Sequence, residues 1–187
     1  MQINPILLKG SWDEGWALDK HVLSSEYIGD NPFGNPTFRT VRTEIGELVF
    51  RLKYRGDLSV LKQIADTASD FIKSTGINKR INIILPAPPS KRRQIQPVFL
   101  IAETIAENLG CFYSSEAFIN KSSEESKNAH GENVSVEFTK TFKIPCGILL
   151  IDDIFNTGAT LNACVKGLRK DPLTKGVFVL TMTKAKG

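Results

Sequence analysis

The sequence predicts an α/β fold in which a mainly parallel sheet is flanked by helices and carries a small N-terminal β-rich cap. Three observations predict it. Ile148 to Ile151 and Ile81 to Leu85 are short, largely apolar runs rich in β-branched residues, the pattern of strands buried on both faces. Between and after them lie segments of helical periodicity with recognisable start and stop residues. The first 41 residues instead alternate loosely and contain a dense turn, Asn31-Pro-Phe-Gly-Asn-Pro36. The expected division is an N-terminal arm or hood over 1–41 and a core domain over 42–187.

In the arm, Trp12 and Trp16 flank an acidic turn, Asp13-Glu14-Gly15, and a hairpin is expected to join about 17–29 to about 36–41. Asp19 and His21 are two apart, so on a strand they share a face. They read either as a metal or acid/base pair or as ordinary strand residues. Thr43 and Glu47 open a helix with Ile45, Leu48, Val49 and Leu52 on one face, and Gly56 is its natural C-terminal cap. Arg51, Lys53 and Arg55 read as a solvated basic helix end. Asp57 caps a second helix carrying Leu58, Leu61, Ile64, Ala65, Ala68, Phe71 and Ile72, which Gly76 closes.

The strand at 81–85 runs into Pro86-Ala-Pro-Pro-Ser-Lys-Arg-Arg93. Proline fixes φ and removes amide donors, so this is a stiff loop, and its cations suit an anion. Pro97 then opens a helix that ends at Gly110. Phe112 to Ile119 is a weak strand, and residues 120–133 are polar throughout with no period, the mark of a surface loop or a lid. Val134 to Phe138, Gly147 to Asp152 and Gly176 to Met182 are the remaining strands.

The stretch with the most chemistry begins at Ile148. Four apolar residues lead into Asp152 and Asp153, then Thr157-Gly158-Ala159-Thr160, then a helical face of Leu161, Val165 and Leu168. A helix N-terminus presents unpartnered amides and the positive end of its dipole, which favours a phosphate. Gly158 permits close approach and positive φ, and the threonines add hydroxyl donors. Carboxylates just upstream accept hydrogen bonds from sugar hydroxyls and hold Mg²⁺. Together these residues read as a site for a phosphorylated sugar.

Ile148 to Thr160 resembles the phosphoribosyl pyrophosphate (PRPP) motif of type I phosphoribosyltransferases, with Phe155 in place of an aliphatic residue and Asn156 where a small residue or Asp is usual. The resemblance extends over about 45–183 to the competence-associated (ComF-like) phosphoribosyltransferases through Leu52-Lys-Tyr-Arg-Gly-Asp57, Leu85-Pro-Ala-Pro88, and Asn133-Val134 before Phe138. It implies a type I phosphoribosyltransferase fold and a Mg²⁺-dependent enzyme that uses PRPP, releases pyrophosphate and modifies a small nitrogenous acceptor. Asp152 and Asp153 would bind the ribose hydroxyls and the metal. Asn156, Thr157, Gly158, Ala159 and Thr160 would hold the 5-phosphate, and Pro88, Ser90, Lys91 and Arg92 the pyrophosphate.

The chain lacks that family's cysteine-rich zinc-binding N-terminus and its Arg-Gly-Phe-Asn-Gln loop, and it carries Arg93-Gln-Ile-Gln96 instead. The mobile loop expected at 120–133 lacks the usual Gln and Arg; Lys127 and His130 are the nearest substitutes, and Lys127 is its candidate catalytic residue. Trp12, Trp16 and His21 are the candidates for an acceptor pocket, since their rings suit stacking on a planar base and bonding its edge. The alternative is that the two tryptophans only pack the arm onto the core or onto a second subunit. Asn156 cannot take a proton where purine-type relatives carry a carboxylate, which argues against hypoxanthine-guanine activity. Two alternatives stand beside transfer: a PRPP- or nucleotide-binding regulator, and a DNA-uptake accessory.

With 187 residues, of which 41% are hydrophobic and 24% charged, the chain has the composition of a soluble globular protein large enough for a sizeable core. The net charge of +4 is too mild to require nucleic acid, and no basic face is interleaved with aromatics. Cys111, Cys146 and Cys164 are far apart and form no metal-binding spacing. No apolar run is long enough for a membrane span or a signal peptide, so a cytoplasmic protein, possible as a homodimer, is expected.

Overall fold

The structure, a computed structural model, describes residues 1–89, 96–120 and 135–185. In chain order the elements are β1 (Ile6–Leu7), β2 (Glu14–Lys20), β3 (Val22–Asp30), β4 (Pro36–Arg42), α1 (Glu44–Arg55), α2 (Leu61–Thr75), β5 (Ile83–Pro86), α3 (Pro97–Leu109), β6 (Phe112–Tyr113), β7 (Phe118–Asn120), β8 (Val136–Phe138), β9 (Cys146–Phe155), α4 (Ala159–Leu168) and β10 (Thr174–Lys184). The central sheet has the order β1-β2-β10-β9-β5-β6, parallel throughout except for the antiparallel edge strand β1. Among the described residues no helix is long and apolar enough to cross a membrane.

The strand β9 lies at the middle because its run Ile148 to Ile151 is apolar on both faces. Ile148 and Leu150 face one layer with α4, while Leu149 and Ile151 face the other with α1, α2 and α3. All four are fully buried, each contributing about 1.5–3 kcal/mol by leaving water. Such a strand reads as a continuous apolar run instead of alternating. Gly147 permits the neighbouring chain to come close, since a Cβ there would lie 1.8 Å from the Arg80 carbonyl.

Local signals place the helix ends. Thr43 Oγ1 accepts from the Gly46 amide at 3.0 Å, and Gly56, Gly76 and Gly110 each close a helix in the left-handed conformation. Asp57 caps a short 3-10 turn ahead of α2, by accepting from the Ser59 amide.

The N-terminal segment departs from expectation. Residues 1–41 are not one arm: β2 lies parallel to β10, from Glu14 opposite Phe178 to Lys20 opposite Lys184. The physical reason is β10 itself, which is buried from Val177 to Thr183 and needs a strand on its outer side. Trp16 and Leu18 cover one face of that junction and Ala17 the other. At His21, whose amide donates to the Lys184 carbonyl at 2.7 Å, the chain leaves the sheet. Only 22–42 form the separate hairpin, β3 against β4, with Asn31 Oδ1 accepting the Phe33 and Asn35 amides in its turn. Up to residue 20 the segment belongs to the central sheet, and β3 and β4 form a separate two-stranded sheet.

Deleting residues 1–16 removes β1, both tryptophans and the start of β2, exposing the edge of β10. The expected result is loss of the cooperative melt in circular dichroism. A truncated protein that melts within about 3 °C of the full chain would show that β2 is dispensable to the core.

Candidate functional site

The C-terminal end of β9 gathers the chemistry. The Asp153 amide donates to Asp152 Oδ1 at 2.8 Å, which keeps the two acids close. Asp153 leans toward α1, where Lys53 Nζ lies 2.7 Å from its Oδ2. Asp152 leans toward α4: burial, with the Asp152 charge beside it, pushes the Cys164 thiol up.

Lys53 corrects the reading of a solvated basic helix end. Arg51 pairs with Asp57 at 2.6 Å and Arg55 lies over the Phe50 ring, but Lys53 turns inward to the acid pair. Its signal was the stretch Leu52 to Asp57, which marks the segment without saying where a side chain in the last turn of a helix points.

After β9 the chain makes the expected turn. Asn156 and Thr157 are exposed, and Thr157 Oγ1 accepts from the Ala159 amide at 3.3 Å. Gly158 takes φ 80° and ψ 4°, and α4 starts at the next residue. The Asn162 amide makes a helical bond to the Gly158 carbonyl at 2.8 Å, so the amides just before it lie in the first turn, where anions bind. Phe155 and Trp12 support the turn from below, edge to face at 6.3 Å. Ser11 braces it from the side, its amide and hydroxyl both donating to Asn162 Oδ1.

The neighbouring strand ends beside the acids. The Ala87 amide donates to the Ile151 carbonyl at 2.8 Å, continuing the β5–β9 ladder, and Pro88 is buried next to it. Ser90, Lys91, Arg92 and Lys127, with most of the loop 120–133, lie outside the described residues.

The three acceptor-pocket candidates are not brought together. Trp12 is buried in the α4 layer, with Nε1 donating to the Leu8 carbonyl at 3.0 Å. Trp16 packs into the opposite layer against Phe71. His21 alone reaches the acids: its Nδ1 lies 3.1 Å from Thr183 Oγ1, which donates to the Asp153 carbonyl at 3.4 Å. Asp19 is bound to Asn4, not His21. Burial, then the cations Arg42 and Lys53, hold the His21 pKa below its ordinary value, so the ring at this end of the sheet is neutral at pH 7.

The mostly parallel sheet flanked by helices is shared with solved structures. Adenine phosphoribosyltransferase from Leishmania donovani superposes with a TM-score of 0.51 at 16% identity, over 96% of this chain and 75% of that one. A second adenine phosphoribosyltransferase gives 0.50 at 15% identity, over 85% of each chain. The fold is that of the type I phosphoribosyltransferases. Leishmania donovani UMP synthase also matches, at a TM-score of 0.40 and 13% identity; the aligned part is 83% of this chain but only 27% of that longer one. No family model matches this sequence, and no curated protein matches it.

On this phosphoribosyltransferase fold the acid pair is electrically unusual. Burial and then the adjacent Asp153 charge push the Asp152 carboxyl up to about 8. A carboxyl raised above its ordinary 3.8 stabilises the fold while it is protonated. That contribution is full below about pH 4 and is lost as pH rises through 8. The ligand-free protein should therefore melt at a lower temperature at pH 8.5 than at pH 6, and Asp152→Asn should flatten this slope. An equally steep slope in the variant would assign it to other groups.

Hard carboxylate oxygens suit Mg²⁺, and an anion as unfavourable as Asp152 gains from a cation or a hydroxyl donor. Among the described residues no cluster of three or more metal-ligating side chains converges. Asp152 and Asp153 are the described side chains that would supply protein oxygens to such an ion.

Proposed function

We propose that this chain is a Mg²⁺-dependent phosphoribosyltransferase that takes PRPP and a nitrogenous acceptor and releases pyrophosphate. The observation that carries the proposal is the placing of Asp152, Asp153, the Gly158 turn and the α4 N-terminus at one end of one buried strand. The parallel strand beside it delivers Pro88 to the same end. The fold shared with adenine phosphoribosyltransferases supports the reading; the narrower likeness to ComF-like proteins rests on sequence motifs.

In this mechanism Asp152 and Asp153 orient the ribose by accepting hydrogen bonds from its 2- and 3-hydroxyls. Residues 156–160 hold the 5-phosphate through first-turn amides and threonine hydroxyls. Pro88, Ser90, Lys91 and Arg92 are assigned to the pyrophosphate, whose charge the cations among them and Lys127 would neutralise. Asp152 and Asp153 would hold Mg²⁺, which when bound would supply further charge neutralisation at the diphosphate. The C1–O bond breaks with its electron pair leaving on pyrophosphate, the acceptor nitrogen forms the C1–N bond, and that nitrogen releases its proton. Exclusion of water protects the oxocarbenium-like carbon from hydrolysis. His21, at the root of the β3–β4 hairpin, stands on the acceptor side.

One residue favours a regulatory use of the same pocket. Asn156 carries an amide where a proton acceptor would serve transfer to a purine, so in this reading the pocket would bind PRPP for regulation and not for purine transfer.

The test is calorimetry of PRPP with Mg²⁺, followed by pyrophosphate release with adenine, hypoxanthine, guanine, uracil and orotate as acceptors. Transfer needs binding and acceptor-dependent release. Binding without release assigns a regulator, and absence of binding rejects both.

A further inference from the structure

The charge of the acid pair is already half answered within the chain. Lys53 and Asp153 meet at 2.7 Å with only 19% and 12% of their side chains exposed, so solvent and salt screen this contact far less than a surface pair. The backbone around the carboxylate is also fixed, by the Asp153 amide on Asp152 and by Thr183 on the Asp153 carbonyl. The charged and titratable groups that face this end of the sheet from α1, β4 and the chain after β2 are Lys53, Glu47, Arg42 and His21. Arg42 is taken up by Glu47 at 3.4 Å and by the face of Phe50. Lys53 is therefore the cation that the described fold directs at Asp153.

An ammonium on one carboxylate oxygen competes with a divalent cation for it, and their like charges repel at short range. Lysine is also a compact charge on a flexible stem, able to move a few ångströms onto a phosphate oxygen without leaving α1. We propose that Lys53 is the resident counter-ion of Asp153. It is a positioning residue that presents the carboxylate to a ribose hydroxyl and keeps a free divalent cation off it. The metal then enters together with an anionic diphosphate ester, which draws Lys53 away from the carboxylate. The second half of the proposal rests on the phosphoribosyl reading; the exclusion of free metal stands without it.

Mn²⁺ serves as the probe, titrated into the full chain without other ligand and followed by electron paramagnetic resonance. Lys53→Gln removes the charge and keeps a donor, Lys53→Met keeps the stem alone, and Lys53→Arg keeps the charge. The first two should bind Mn²⁺ about tenfold or more tightly than wild type, the scale of one close charge repulsion removed from a half-buried site. Lys53→Arg should remain close to wild type. The gain should disappear when Asp153→Asn is added to Lys53→Gln. With PRPP and Mg²⁺ the order reverses, and Lys53→Gln should bind more weakly than wild type.

Mn²⁺ affinity unchanged or lowered in whichever of Lys53→Gln and Lys53→Met retains a cooperative melt would overturn the proposal, as would a gain that survives Asp153→Asn. Wild-type protein that fails to bind PRPP defeats the phosphoribosyl reading instead, and the Mn²⁺ comparison still decides the role of Lys53.

Discussion

Asp153→Asn should weaken Mg²⁺-dependent PRPP binding by about 1–3 kcal/mol, roughly five- to 150-fold, the scale of a charge-assisted hydrogen bond. The substitution keeps the side-chain shape but turns one acceptor into a donor that cannot serve a ribose hydroxyl or a metal in the same way. It also takes the anion from Lys53, a partly buried ammonium now 2.7 Å from its partner. The fold should persist, because the layers around β9 are built from Leu149, Leu150, Ile151 and their neighbours and not from the acid pair. Calorimetry at pH 7 with PRPP and Mg²⁺ checks the effect, and a melt in the same buffer separates it from unfolding. An affinity equal to wild type would remove Asp153 from the site.

Gly158→Val should cost more, and in two currencies. At φ 80° a β-branched residue pays about 1–2 kcal/mol for the left-handed conformation. Its Cβ would also lie 2.8 Å from the Phe155 ring, which packs edge to face with Trp12, and overpacking of that kind adds about 1–3 kcal/mol. A urea titration should show a loss of about 2–5 kcal/mol, the sum of those two effects. The same change tilts the first-turn amides away from the phosphate, so PRPP binding should fall below detection even where the protein remains folded. Normal PRPP affinity in a folded Gly158→Val protein would place the 5-phosphate elsewhere. Gly158→Ala carries less bulk and should fall between the two.

Much of this architecture was legible before any coordinates. Thr43, Gly56, Asp57, Gly76, Pro97 and Gly110 mark helix ends through hydrogen bonds and φ values that depend on a few adjacent residues. The run Ile148 to Ile151 identifies a doubly buried strand, and the residues from Asp152 to Thr160 identify a strand, turn and helix start with phosphate chemistry. The Asn31 to Pro36 turn identifies a hairpin, although the loose alternation before it disguised where that hairpin begins. Each of these signals is local, written within one or two turns of chain.

The rest depends on what comes to lie beside what. Glu14 to Lys20 became a core strand because β10, more than 150 residues later, buries both faces and needs cover on its outer edge. Trp12 and Trp16 went to opposite layers because the chain passes from a loop into a strand between them, and Trp12 is claimed by Phe155 and Leu8. Lys53 reached Asp153, and His21 reached Thr183, across distances in sequence that no periodicity spans. The sequence by itself determined the helices, their caps, the buried strand Ile148 to Ile151 and the phosphate-type turn, because backbone sterics and neighbouring side chains decide those. It did not show that Phe112 to Ile119 divides between two sheets. Only the tertiary structure decided the edge of the sheet, the layer taken by each tryptophan and the counter-ion of the acid pair, because strand register and burial are settled by the whole chain at once.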